Sequence, residues 1–541
     1  MRRVISRYLN GILITVFSFI QMMGYYLDNY GSVFPINKYY AIKQIILSAG
    51  LAALLMGLWK LIRWLAFERR NQSKWAEWNK AYSTKRVVIL TWSAIVISWL
   101  TVLMAYYPGV FAYDASNQTM QVINKSYSTH HPLVHTLILG KLFCLGHELG
   151  DNNWGVFIYC ILQIVVLALA CTYLLTYLYK YGISKLRYIV CLTWYMFFSV
   201  HSILAISTTK DVYFAACCTI YLVSVLIILN FRITKGMKIV IWLLVGISTC
   251  GMVLFRNNAI YAIVCAIVPV YVFIKHERKS IISGMVLGVI IAIVIDNMLA
   301  FSLNAEKGSK AEMLSVPLQQ MARVERTYGQ RIAHSLREEL CFFLPEDILD
   351  NYADHISDGI KNNVDITKIT QNKFRFLKTY IKLGIHYPRE YIDAFAALTQ
   401  GYWYLGDKSH SEIYGVGTVY RLGYLLTNYK DMPNSFEVVH ETKFQGLEKI
   451  LEILFSNNEY QRIPIIWMIF SPAFYGWLLL ICLYRLIRHK KYIIVGAICP
   501  VLFYHASLLL GPTCLIRYVY PTVVCIPIII YEAFREQKVK G

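Results

Sequence analysis

Two aspartates standing just past the ends of apolar runs are the residues of this sequence best suited to chemistry. Asp114 lies in YPGVFAYDASNQ, Tyr107 to Gln118, shortly after Pro108 and Gly109 close an apolar run. A carboxylate at such a boundary can meet both lipid and aqueous substrates, and can act as a general base on a sugar hydroxyl. The same position also suits a helix cap or a solvated loop acid. Asp211 ends the tight STTKD segment, Ser207 to Asp211, between two apolar runs with almost no loop between them. There Asp211 is expected to bind a metal or position an acceptor, and Lys210 to neutralise a phosphate; mutual ion pairing with helix capping is the alternative.

Further polar residues interrupt the same boundaries. HHPLVH, His130 to His135, precedes an apolar stretch over 133–146 that is too short to span a bilayer and reads as an interfacial or re-entrant helix. His130 and His131 can contact phosphate or sugar there, or simply be solvated imidazoles at a helix start. His131 and His135 have HxxxH spacing, but no Asp or Glu ligand stands near them. Arg256 sits in the tight FRNN, and Arg517 opens the final apolar run in RYVYP. Three cations, Lys210, Arg256 and Arg517, on the face that carries Asp114 point to an anionic lipid headgroup, since guanidinium forks bind two phosphate oxygens at once. Snorkelling to bulk phospholipid is the alternative for each. Gln319 and Gln320, in VPLQQ, offer amides suited to sugar hydroxyls, and GYWY, Gly401 to Tyr404, offers aromatic faces for sugars or a membrane-interface belt.

The elements that must position these residues are membrane spans. Of 541 residues, 57% are hydrophobic and 16% charged, which excludes disorder, collagen and a soluble multidomain protein of ordinary composition. Apolar runs near 9–27, 41–65, 87–106, 154–179, 188–206, 212–230, 239–254, 259–274, 281–303, 463–484, 492–510 and 514–531 predict about twelve transmembrane helices. With the amino terminus cytoplasmic, the inner segments hold 25 Lys and Arg, whereas each short outer connection holds one or two. Basic loops resist translocation, so both termini are expected inside the cell membrane and Asp114 outside. The formal charge of +21 is then a matter of topology and of the long outer segment, and needs no nucleic-acid partner. The thirteen cysteines lie mostly inside apolar runs and form no CxxC pair, against a disulfide framework or a zinc site.

The chain is therefore expected to be an all-α polytopic membrane protein in four parts: a two-span extension with a basic cytoplasmic loop over 1–86, a seven-span module over 87–303, a mostly helical extracytoplasmic domain over 304–462, and a closing three-span group over 463–541. Apolar residues at three- and four-residue intervals over 329–343 and 371–385 predict helices in that domain.

This layout resembles the GT-C superfamily of integral-membrane glycosyltransferases, which use lipid-phosphate-linked sugars at the outer face. Asp114 matches the acid of that superfamily's first outer loop, and Asp211 a second acidic position in the next one. HHP is similar to the His/Lys-Pro segment of protein O-mannosyltransferase-like and aminoarabinose-transferase-like members. Together with VPLQQ and HYPREY, His386 to Tyr391, it looks like an uncharacterised bacterial membrane-protein family within the superfamily. Two extra spans before the seven-span module, and a domain between the ninth and tenth spans, depart from the pattern. The resemblance implies inverting transfer of a hexose or pentose from a polyprenyl-phosphate donor to an envelope glycan, lipid or protein acceptor. Asp114 would be the base, Asp211 would orient the acceptor or hold a divalent metal, and His130, His131, Lys210, Arg256, Gln319, Gln320 and Arg517 would bind substrate. A transporter or flippase of a lipid-linked or anionic glycan, or a non-catalytic membrane scaffold, would use the same cations without chemistry.

Overall fold

The computed structural model describes residues 2–67, 83–111, 113–406, 432–456, 459–463 and 466–535. Most of the basic loop expected between the first two spans and the third, 68–82, lies outside the described residues. So does 407–431 of the long polar segment. Among the described residues the chain is helical throughout, with only isolated β-bridges.

The membrane part consists of α1 (Arg2–Tyr30), α2 (Lys38–Phe67), α3 (Thr84–Ala105), α4 (Tyr113–Ile123), α5 (Leu133–Glu148), α6 (Asn152–Lys180), α7 (Lys185–Phe197), α8 (Ser199–Ala205), α9 (Lys210–Asn230), α10 (Lys235–Phe255), α11 (Ala259–Phe273) and α12 (Arg278–Ser302). Nine helices among the described residues are long and apolar enough to cross a bilayer, or ten if α7 and α8 form one span bent by 46° at Phe198. Two of the twelve expected spans are shorter than their apolar runs. The run at 259–274 makes a helix of 15 residues with Pro269 inside it, and that at 463–484 becomes α-helical only at Pro472. Hydropathy reports apolarity, and does not fix where a helix starts or ends.

The centre of the bundle is α9, which packs against α6 and α10 and against the carboxy-terminal helices. In α9, 78% of the span is buried inside the protein, compared with 17% for α2 on the periphery. A helix apolar all round belongs at such a centre. Glycine lets α5 fold back on α6: a Cβ at Gly155 would meet the backbone of Leu142 and Phe143 at 2.6 Å.

The long polar segment contributes two different bodies. Helices α13 (Ser315–Tyr328), α14 (His334–Phe343), α15 (Glu346–Leu349), α16 (Asp358–Lys361), α17 (Ile366–Gln371), α18 (Lys373–His386) and α19 (Pro388–Thr399) surround a core of their own that includes Leu318, Met321, Leu340, Phe343 and Leu383. The part after the undescribed gap instead joins the main bundle. Lys443 N donates to Met104 O and Val439 N to Asn153 Oδ1, and Leu451, Phe455 and Phe470 lie in the bundle core. After α20 (Gln445–Leu451), the chain closes with α21 (Pro472–Arg488), α22 (Tyr492–Ser507) and α23 (Ile516–Phe534).

Candidate functional site

The charged residues at the helix boundaries meet at the end of the bundle that faces the α13–α19 domain. Backbone pairing brings their segments together. Val110 N donates to Ile206 O at 2.9 Å and Thr208 N to Val110 O at 3.0 Å, joining the loop after α3 to the STTKD segment. Gly109, at φ +128°, makes the approach possible, because a Cβ there would run into Cys160 Sγ and lie 2.9 Å from Ile206 O. Asp114 then falls in the first turn of α4 and Asp211 in the first turn of α9, where unpaired N–H groups favour negative charge. Thr209 caps α9, and its hydroxyl also donates to Asp211 Oδ2 at 3.1 Å.

A buried polar chain fixes the same two segments from beneath. Gln163 Nε2 donates to the carbonyls of Leu204, Ala205 and Ser207 and thereby shapes the turn before Lys210. Tyr159 Oη donates to Gln163 Oε1, His135 Nε2 lies 2.7 Å from Tyr159 Oη, and His135 Nδ1 lies 3.1 Å from Gln118 Oε1 on α4. His135 is fully buried within this chain of hydrogen bonds. Its histidine-pair spacing with His131 thus places one imidazole in a structural relay and the other in the charged cluster.

The ion pairing crosses between elements. Lys210 Nζ reaches Asp114 Oδ2 at 3.5 Å, and Arg517 Nη1 reaches the same oxygen at 3.1 Å. Asp211 Oδ1 accepts from Arg256, at the end of α10, and Asp211 Oδ2 lies 3.7 Å from Arg517 Nη1. Adjacent Lys210 and Asp211 therefore cross-link different helices and not each other. The three cations point inward at carboxylates, with side-chain exposures of 15% for Lys210, 12% for Arg256 and 6% for Arg517, so none is spread into bulk lipid. Arg256 also lies over the rings of Tyr518, at 4.6 Å, and Tyr504, at 5.7 Å. Burial is the largest single influence on Arg256 and lowers its proton affinity, but the Asp211 carboxylate together with Tyr504, Tyr518 and Tyr402 outweighs it and raises its pKa above the ordinary arginine value.

The two aspartates differ in access. Asp211 is 1% exposed and Asp114 is 21% exposed, so a solvent- or lipid-borne group can reach only the latter. His131 Nδ1 lies 3.0 Å from Lys210 Nζ, which donates to it. Burial, and then the Lys210 charge, push the His131 pKa down to about 2, so this imidazole is neutral. His130 is exposed beside it, the rings 4.6 Å apart. The loop bearing both is pinned by Thr129 N donating to Glu306 O and by Gly308 N donating to Thr129 Oγ1. Among the described residues, three cations, two carboxylates and a neutral His131 leave a surplus of one positive charge.

Gln319 and Gln320 lie elsewhere, in the domain core. Gln319 donates to Ala353 O, and Gln320 Nε2 to Tyr391 O at 2.9 Å while its carbonyl accepts from Tyr380 Oη. Trp403 of GYWY sits at a junction, its carbonyl accepting from Gln21 on α1 and Trp477 on α21. Tyr504, Tyr518 and Thr209 belong to the cluster although the residue types gave no signal for Tyr504. Tyr518 was visible only as the neighbour of Arg517, and Thr209 only as part of STTKD.

The donor set does not suit a divalent ion. Both oxygens of Asp211 are engaged by guanidinium or hydroxyl donors, and three cations would repel a metal. Among the described residues one grouping of His, Cys, Asp or Glu side chains is tight enough to share an ion, Glu325 with Cys341 and Glu346 in the domain. Arg337 already bridges its two glutamates.

An all-α bundle with nine helices able to span a bilayer among its described residues, and a built polar cluster at one end, defines a multi-pass membrane protein. Over residues 124–541 the chain matches a family of unknown function, DUF6020, and it belongs to that family. The match takes in His130, His131, Lys210, Asp211, Arg256 and Arg517 and begins after Asp114. No curated protein and no solved structure matches the chain.

Proposed function

We propose that this protein is an inverting membrane glycosyltransferase that moves a sugar from a polyprenyl-phosphate donor to an envelope acceptor. The observation that carries the reading is the convergence of an accessible carboxylate, Asp114, with Lys210, Arg256 and Arg517 at one end of the bundle. In this reading that end faces outside, twelve segments cross or enter the membrane, and both termini are cytoplasmic. The resemblance to the GT-C layout supports it.

Asp114 takes the proton of the acceptor hydroxyl as that oxygen attacks the anomeric carbon. The bond from this carbon to the phosphate oxygen breaks on the opposite face, and the polyprenyl phosphate leaves with the electron pair. The cationic surplus offsets the charge that develops on the departing phosphate. Asp211, too buried to touch substrate, holds Arg256 and Arg517 in position. Neutral His131 orients Lys210, and exposed His130 contacts the sugar or phosphate.

One observation favours transport instead: the α7–α8 span is broken, as substrate-binding helices of transporters often are. The break carries no charged residue between Trp194 and Ser207, which weighs against an anion site there. Turnover decides between the two readings. Asp114→Asn preserves size and hydrogen bonding, and should lower sugar transfer by about two to four orders of magnitude while the protein folds normally. Near-normal turnover of a lipid-linked sugar by that variant would reject Asp114 as the base.

A further inference from the structure

Helix α18, KFRFLKTYIKLGIH, is apolar on two opposite faces. Phe376, Thr379 and Leu383 face the core of the domain. On the other side Phe374 is 89% exposed, Leu377 50%, Ile381 49% and Ile385 70%. At about 100° per residue these four fall on a stripe about 80° wide, and the helical rise makes it about 16 Å long. A stripe of large apolar side chains this continuous marks a contact surface. The helix carries Lys373, Arg375, Lys378 and Lys382 and no acidic residue. Arg375 is held by Glu339 and stacks on Phe342, whereas the three lysines are exposed, with Lys378 and Lys382 along one edge of the stripe and Lys373 beyond the other.

The fold sets this helix beside the end of the membrane spans. α19 follows α18 with one residue between them, Tyr387. Asp393 of α19 accepts from Val33 N at 2.8 Å, and Arg389 donates to Ser32 Oγ at 3.1 Å. Ser32 and Val33 lie in the short link between α1 and α2, two of the helices able to cross the bilayer. The domain is thus fastened, one turn away from α18, to the place where the chain emerges from the membrane.

We infer that the exposed face of α18 lies in the bilayer interface on the domain's side, with Phe374, Leu377, Ile381 and Ile385 among the acyl chains and Lys378 and Lys382 on anionic headgroups. An exposed apolar stripe flanked by lysines on an acid-free helix fits an anionic lipid surface better than water. The inference does not depend on the proposed catalytic activity. It adds a second hold on the membrane, by which the domain keeps a fixed height above the polar cluster.

The test uses the full-length chain carrying Phe374→p-benzoylphenylalanine or Ile385→p-benzoylphenylalanine, reconstituted in nanodiscs of phosphatidylcholine with phosphatidylglycerol, irradiated and analysed by mass spectrometry. Both exposed positions tolerate the probe without disturbing a core. Lipid adducts are expected at both positions, with phosphatidylglycerol over-represented relative to its share of the bilayer. A probe at exposed Glu338 on α14 should yield no lipid adducts. Lys378→Gln with Lys382→Gln should abolish the enrichment, since each lysine near an anionic surface is worth roughly fivefold. Absence of lipid adducts at both probes, or cross-links to a second copy of the chain alone, would overturn the inference. Adducts without phosphatidylglycerol enrichment would overturn its electrostatic half.

Discussion

The two ends of the central helices both carry buried charge, and they use it differently. At one end, where α9 and α23 begin, Asp114 and Asp211 are shared among Lys210, Arg256 and Arg517. At the other, where the same helices finish, a single carboxylate among the described residues, Glu532, is 1% exposed and paired with Arg535 at 2.7 Å. Tyr177 Oη donates to Glu532 Oε1, Asn230 donates to Tyr177, and Lys491 Nζ donates to the carbonyls of Glu532 and Arg535. This second cluster is a clamp: it fastens α6, α9, α22 and α23 together around one acid. Among the described residues each cluster holds one more cation than acid, Arg535 and Lys491 against Glu532 in the clamp, but only the first has an edge open at Asp114 and His130. Buried charge alone therefore says little about function. Access to a carboxylate beside the cations is the feature that separates a site from a strut.

Several substitutions break or sharpen that contrast. The largest effect on stability is expected in the clamp. Glu532→Gln leaves Arg535 without its counter-charge and should cost about 3 kcal/mol, seen as earlier thermal unfolding of the purified protein, with ligand affinity unchanged. A clamp variant that weakened ligand binding while folding normally would erase the distinction between the two ends. Within the other cluster, Asp211→Asn and Arg256→Gln should each destabilise the fold. The double variant should cost about 1.5 to 3 kcal/mol less than the two separately, because each single change strands a buried charge. Strict additivity would mean that Arg256 and Asp211 do not depend on one another.

A smaller effect is expected from His131. Its pKa in the folded chain lies far below the unfolded value, so the unfolded chain binds the proton more readily. The contribution of neutral His131 is therefore complete above about pH 6.5 and is lost as the pH falls below it. Stability measured from about pH 7.5 down to about 4.5 should fall less steeply for His131→Gln than for the wild type. Equal slopes would place His131 in water and not against Lys210.

Much of the cluster around Asp114 and Asp211 could be read along the chain, for a physical reason. Asp114, Lys210, Asp211, Arg256 and Arg517 each stand where an apolar run stops, and polar residues at such borders are conspicuous. Their partners were not legible. Lys210 sits beside Asp211 in sequence yet turns to Asp114, because Thr209 caps α9 and the two arginines arrive from α10 and α23. Tyr504 gave no warning, being one tyrosine inside an apolar run. The clamp shows the same limit from the other side. Lys491 and Arg535 stand in the sequence as basic residues beside apolar runs, while their meeting with Glu532, Tyr177 and Asn230 depends on three-dimensional packing. Gln319 and Gln320 had the chemistry to bind sugars, but the domain uses their amides to satisfy backbone and tyrosine groups in its core.

The proposed role of the cations at the Asp114 end is to receive a lipid phosphate. The direct measurement is binding of polyprenyl phosphate to the purified full-length protein in nanodiscs, compared among the wild type, Lys210→Gln, Arg256→Gln, Arg517→Gln and Arg517→Lys, with Glu532→Gln as the clamp control. Each neutral substitution in the cluster should weaken binding by roughly ten- to a hundredfold, the loss of one charge-assisted hydrogen bond to a partly desolvated phosphate. Arg517→Lys should recover part of that loss, since an ammonium cannot reproduce a two-pronged contact, and Glu532→Gln should bind as the wild type does. Unchanged affinity in all three neutral variants would contradict the account and leave the cluster as a second clamp.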